Sequence, residues 1–290
     1  MDESEHRCHQ VKNHPPGFLL VHGAWHNSAT WQKLTPLLLA AGFDARVLDL
    51  PGAGVYARSP RSYREKPFDP KAFATEPSPN ANITQSERTA AVVSLIEQMR
   101  GDVVLVGHSM GGLTISAVAE AIPEKLRALV YVTALMLPPH MPPNAMFQHE
   151  TMINNALKPL LCADPALVGA LRINPASADP GYRRLMKAAF YTDASDADFA
   201  SMQASLHCDE PAGVALEASR VTAERFGSVS RHYIRCLTDR IHSIAAQDFM
   251  IGAMDSALGT TTLVHDLNSD HAPFLSWPRD LLDVLLKVAE

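Results

Sequence analysis

The chain has 290 residues, 47% of them apolar and 19% charged, with a formal net charge of -6 at neutral pH. That is enough apolar material to bury a large core as one α/β domain with an insertion. The interspersed acids and bases leave no basic stripe, so neither nucleic acid nor a membrane surface is an expected partner.

No stretch of about 18 apolar residues occurs and the polar segment 1–16 does not read as a secretory leader, so a cytoplasmic protein is expected. Cys8, Cys162, Cys208 and Cys236 lie far apart with no paired spacing and read as free thiols. In chain order, the apolar run 17–21 predicts a strand ending in His22, Gly23, Ala24 and Trp25, and an amphipathic helix over 28–41 follows, closed by Gly42. A second strand is expected over 44–50, stopped by Pro51 and Gly52. From 53 to 82 no period is sustained, and prolines and the basic residues Arg58, Arg61, Arg64 and Lys66 mark a long excursion.

Thr84 and Glu87 form a capping-box signature that opens a helix, and Gly101 stops it. Next comes the stretch around which the chain is organised. Val103, Val104, Leu105 and Val106 fit a strand buried on both faces, and Leu113, Ile115, Val118 and Ile122 fit a helix leaving it. Between them stand Gly107, His108, Ser109, Met110 and Gly111, a nucleophile elbow in which the serine is forced outward and the helix aims free N–H groups at the same spot. A further strand is expected over 128–134. Such alternation implies right-handed crossovers and a parallel sheet.

The rhythm then breaks. Pro138, Pro139, Pro142 and Pro143 mark an exit from the sheet, and segments rich in methionine and aromatic residues follow, so 138–228 is expected to be a helical cap between two parts of one core, 1–137 and 229–290. Strands resume over 231–237 and 260–265, with helices over 244–257 and 278–289. The expected fold class is therefore α/β, a mainly parallel six-stranded sheet flanked by helices, with a helical cap inserted after the fourth strand.

A serine hydroxyl needs a base within hydrogen-bond reach and an acid to orient that base. Ser109 is the expected nucleophile, His271 in the loop after the last strand the base, and Asp239 after the fifth strand the orienting acid, while Asp266 and Asp270 compete for that last role. The oxyanion would take the backbone N–H groups of Met110 and Ala24. Gly23, Trp25, His108, Leu135 and Met136 are the expected substrate-pocket residues. His22 and His26 have a spacing a metal could use but lack a third ligand, so no metal and no organic cofactor is expected. A small hydrophobic ester is the expected partner, with a homodimer as the expected assembly.

With HGAW at 22–25, the GHSMGG elbow, Asp239 and Ser269, Asp270, His271 in place, the chain resembles the α/β-hydrolase superfamily over nearly its whole length. Within it the chain is similar to the branch of plant methylesterases, hydroxynitrile lyases and bacterial EstC-type carboxylesterases. Glu76, Pro77, Ser78 and Pro79, and the ending Asp270, His271, Ala272, Pro273, Phe274, look most like the bacterial subgroup. The resemblance implies the α/β-hydrolase fold and acyl-enzyme chemistry. Hydroxynitrile lyases of this branch use a threonine in the first loop and a lysine after the catalytic histidine, where this chain has Gly23 and Ala272. Ester hydrolysis is thereby favoured over that lyase reaction. Two alternatives stay open: cofactor-independent dioxygenase or other lyase chemistry with the same three residues, and a ligand-binding receptor without turnover.

Overall fold

The structure is a computed structural model that describes residues 15–290; Cys8 and the rest of the segment before Pro15 lie outside the described residues. β1 (Gly17–Val21) is buried along its whole length. A 3-10 turn at Ser28–Trp31 then precedes α1 (Thr35–Ala40), so the continuous helix expected over 28–41 is split. Asn27 caps the first turn, and Pro36, which has no N–H to give, sits where a new helix can start. β2 (Ala45–Val47) is shorter than expected. Beyond it the backbone is drawn to other partners: Leu50 N–H donates to His22 Nε2 at 3.2 Å, and Asp49 accepts the Ser28 N–H at 2.7 Å.

The excursion carries α2 (Pro70–Thr75), capped by Asp69 and anchored by buried Phe73. Six residues span too few turns to show a period. α3 (Gln85–Glu97) opens on the capping box of Thr84 and Glu87. β3 (Val103–His108) and α4 (Gly111–Ala121) flank Ser109, and β4 (Leu126–Val132) follows.

The segment 138–228 is not wholly helical. α5 (Pro143–Gln148) and α6 (Pro165–Val168) lead to β5 (Ala170–Arg172); α7 (Pro180–Phe190) and α8 (Asp196–Ser205) lead to β6 (Asp209–Pro211), and the two short strands pair antiparallel. This pair hid from sequence reading because it carries charges that ordinarily stay in solvent. Arg172, Asp209 and Glu210 are fully buried. The Arg172 guanidinium grips Asp209 bidentately at 2.6 and 2.7 Å and also donates to the Phe73 and Glu76 carbonyls, while Arg88 on α3 pairs with Glu210. Buried charges of this kind persist only where both partners are held. The strand pair is thus fastened to the excursion on one side and to α3 on the other.

The sheet resumes with β7 (Arg231–Cys236), α9 (Ile244–Leu258), β8 (Leu263–Leu267), α10 (Pro273–Ser276) and α11 (Pro278–Ala289). The last strand starts later than 260 because Asp255, near the end of α9, takes the Thr262 N–H and hydroxyl at 2.9 and 2.6 Å. α11 buries Leu281, Val284, Leu285 and Val288 along one face, each worth about 1.5–3 kcal/mol. The six core strands run in the order β2-β1-β3-β4-β7-β8, every pair parallel, as in the α/β-hydrolase fold. In such a sheet the loops at the carboxyl ends of the strands meet on one rim. Among the described residues no helix is long and apolar enough to cross a membrane.

Candidate active site

Ser109 sits at the elbow with φ +52°, in the left-handed region that side chains rarely adopt. Its carbonyl holds the turn by accepting the Gly112 and Leu135 N–H groups at 3.1 and 3.0 Å. Gly111 is required by close approach: a Cβ there would stand 2.7 Å from the His22 oxygen and 2.8 Å from the Val21 oxygen. The end of β1 therefore presses against the start of α4, which brings the first loop to the serine. Gly23 is equally constrained, because a Cβ on it would lie 2.8 Å from Ser109 Cβ and 2.9 Å from His108 Nδ1.

The loops after β7 and β8 bring a carboxylate and an imidazole together. His271 Nδ1 lies 2.7 Å from Asp239 Oδ2, both groups buried. The competing carboxylates go elsewhere, Asp266 to Arg235 and Asp270 to the Asp193 and Ala272 N–H groups. Asp239 accepts three further hydrogen bonds, from the Thr133 hydroxyl and from the Ile241 and His242 N–H groups at 2.7 and 3.1 Å. Burial works against its charge, but His271, His242 and Thr133 together hold its carboxyl below the usual carboxylate value. With Nδ1–H donated to Asp239, the other ring nitrogen carries a bare lone pair. That atom, Nε2, is buried without a hydrogen-bond partner, Ser109 Oγ included. Such a contact is commonly loose in the free protein and closes when substrate is bound. Sequence reading missed Thr133 and His242; the only signal was their position just past strands β4 and β7.

Neither the Ala24 N–H nor the Met110 N–H has an acceptor among the described residues. Their loop is firmly set. Trp25, at φ +60°, donates its N–H to Glu210 at 3.2 Å and its indole N–H to the Leu171 carbonyl at 2.8 Å, while its own carbonyl accepts the His207 N–H at 3.1 Å. The paired strands β5 and β6 therefore clamp the loop that offers the Ala24 amide.

Ser109, Met110 and Ala24 border a small cavity of about 10 Å³ whose walls are Trp25, Phe147, Leu157, Leu171, Phe190 and Ile241, with His242 completing them. Phe147, Leu157 and Leu171 also line an outer, mainly apolar cavity of about 290 Å³. A larger groove beside α3 and α4, about 540 Å³, contains none of these site residues. Of the expected pocket residues, Trp25 is a wall. Leu135 and Met136 are not: both are fully buried, and the Leu135 N–H is spent on the Ser109 carbonyl at 3.0 Å. Gly23 and His108 are not walls either, His108 donating from Nε2 to the His271 carbonyl at 2.8 Å.

No metal-binding role falls to His22 and His26. Their nitrogens are taken by the Gly23 and Ala24 carbonyls, the Leu50 N–H and the Tyr191 hydroxyl. Asp239, His242 and His271 do bring donor atoms within 4.8 Å of one another. The Asp239 oxygens, however, already hold four donors, one of them His271 itself, so the group is satisfied without a cation.

Burial pushes His22 down to about 4, His26 to about 3 and His242 to about 4, from an ordinary 6.5. The unfolded chain binds those protons more readily than the folded one. Stability is therefore full above about pH 6.5 and is lost as pH falls toward 4. The midpoint of urea unfolding should drop across that window; a flat midpoint would contradict the neutral assignments.

An Alpha/beta hydrolase family model matches residues 18–284. The chain is 28% identical over 287 residues to salicylic acid-binding protein 2 of Nicotiana tabacum, covering 94% of this chain and 96% of that one. It is 26% identical over 282 residues to methylesterase 9 of Arabidopsis thaliana, covering 94% and 98%. Among solved structures, a pyrethroid hydrolase from Sphingobium faniae JZ-2 superposes with a TM-score of 0.74 at 20% identity, covering 94% of this chain and 97% of that one.

Proposed function

The chain belongs to the alpha/beta hydrolase family, and we propose that it is a serine carboxylesterase of the methylesterase-like branch that cleaves a hydrophobic ester through an acyl-enzyme. The observation that carries this reading is the buried Asp239–His271 pair, which leaves His271 Nε2 without a partner, in a chain whose elbow holds Ser109 at a strained positive φ. Similarity to methylesterase 9 supports the ester-cleaving side of it.

In this mechanism Nε2 of His271 takes the Ser109 proton as Oγ attacks the ester carbonyl. The tetrahedral oxyanion accepts the Ala24 and Met110 N–H groups, which have no acceptor among the described residues and border the same cavity as Ser109. The imidazolium, stabilised by Asp239, returns its proton to the leaving alcohol as the C–O bond breaks. Water, deprotonated by the same nitrogen, then attacks the acyl-serine and releases the acid. The apolar walls and the outer cavity suit an ester of low charge, with 138–228 acting as the cap.

The first loop favours this chemistry over the lyase reaction of related enzymes. A side chain at position 23 would collide with Ser109 and His108, and Ala272 supplies no positive charge for departing cyanide. Gly23→Ala is expected to lower kcat/KM for esters by at least about tenfold, and overpacking of this kind costs about 1–3 kcal/mol. Steady-state kinetics and thermal melting together check it. The proposal as a whole is tested by following acid release from a panel of alkyl and aryl esters. Turnover of hydrophobic esters is expected, and failure to cleave any member would overturn it.

A further inference from the structure

Inside the apolar cavity at Ser109 one polar side chain has no task in the mechanism above. We propose that His242 Nε2 is a substrate-recognition acceptor, so that the preferred ester carries a hydroxyl or amide N–H close to its scissile carbonyl; this rests on the esterase reading.

Geometry fixes the tautomer. His242 Nδ1 lies 2.8 Å from the Thr133 carbonyl oxygen. A carbonyl can only accept, so Nδ1 carries the proton and Nε2 is left with a lone pair. No hydrogen bond reaches that nitrogen among the described residues, although the side chain is only 1% exposed and forms part of the cavity wall. Burial keeps the ring neutral at physiological pH. The other polar groups of the cavity are committed. Trp25 Nε1 is spent on the Leu171 carbonyl, and Ser109 is the attacking group. The remaining walls are hydrocarbon or aromatic.

The location limits where the donor can sit on the substrate. The His242 ring packs edge-on against His271 with centroids 5.3 Å apart, and His242 borders the same cavity of about 10 Å³ as Ser109 and Met110. A cavity of that size holds about one water. A group meeting Nε2 is therefore within a few bonds of the ester carbon. Filling the cavity with a purely apolar ester leaves the nitrogen unpaired, which is how a polar site rejects an analogue lacking the matching group. A wall-filling role alone would need only the shape of the ring.

The test compares matched esters. On the acyl side, ethyl mandelate is set against ethyl phenylacetate; on the alcohol side, 2-hydroxyethyl phenylacetate against 2-methoxyethyl phenylacetate. For the wild-type protein one donor-bearing ester should be preferred in kcat/KM by about tenfold or more. In His242→Phe, which keeps an aromatic ring but has no acceptor, that ratio should collapse to about one, and His242→Gln, which can still donate to Thr133 and accept from substrate, should restore part of it. Thermal melting confirms that each variant is folded; if His242→Phe is not, the comparison is made with His242→Gln and His242→Leu. Equal turnover of both members of each pair by wild type, or a preference that survives in His242→Phe, would overturn the inference while leaving the esterase reading intact. No cleavage of any of these esters by the wild type, joined to no cleavage of the wider panel, would instead overturn the esterase reading and this inference with it.

Discussion

Ser109→Ala is expected to reduce kcat for ester hydrolysis by about a thousandfold or more while the protein melts at or near the wild-type temperature. The asymmetry follows from what the serine does in the fold. Its backbone carries the turn, through the carbonyl that accepts from Gly112 and Leu135, and alanine keeps those bonds. Its hydroxyl makes no hydrogen bond to His271 in the free protein, so little stability is lost with it. Residual activity should come from the Ala24 and Met110 amides alone. Turnover within tenfold of wild type would remove Ser109 from the mechanism.

Asp239→Asn should come close behind, with a loss of kcat of the same order as that of Ser109→Ala and no greater. The carboxylate can only accept, which obliges His271 to protonate Nδ1 and bare Nε2. An amide presents an N–H as well as a carbonyl, and can turn the ring to the tautomer in which Nε2 holds the proton and cannot act as base. The same substitution disturbs Thr133, whose hydroxyl donates to Oδ2, and a modest fall in melting temperature is expected. Because the two residues act as a unit, the double variant should be no slower than Ser109→Ala alone. Additive losses would mean that Asp239 serves the structure rather than the relay.

How much of this was legible in the chain depends on how local each signal is. The elbow could be read because strand, turn and helix lie within about twenty residues and each carries its own pattern. Asp239 and His271 could be reached because a parallel sheet delivers the ends of its strands to one rim. The pocket could not. Leu135 and Met136 come soon after β4, which points them to the serine's rim, yet both are fully buried and neither is a wall of the cavity. The walls come instead from Phe147, Leu157, Leu171 and Phe190, set by packing between segments distant in sequence. Arg172, Asp209 and Glu210 were equally hidden, because a buried charge reads as a surface charge until its partner is found. The hydrogen bond from the Trp25 N–H to Glu210 links β6 to the loop that carries the Ala24 amide. No periodicity announces such a link.

The most direct measurement is mass spectrometry of the protein quenched with acid within the first turnovers of a slowly deacylating aryl ester. The mechanism predicts one acyl group per chain, carried by Ser109 in the peptide spanning the elbow and absent from Ser109→Ala. Continuing release of acid with no acyl group on that serine at any time would contradict it.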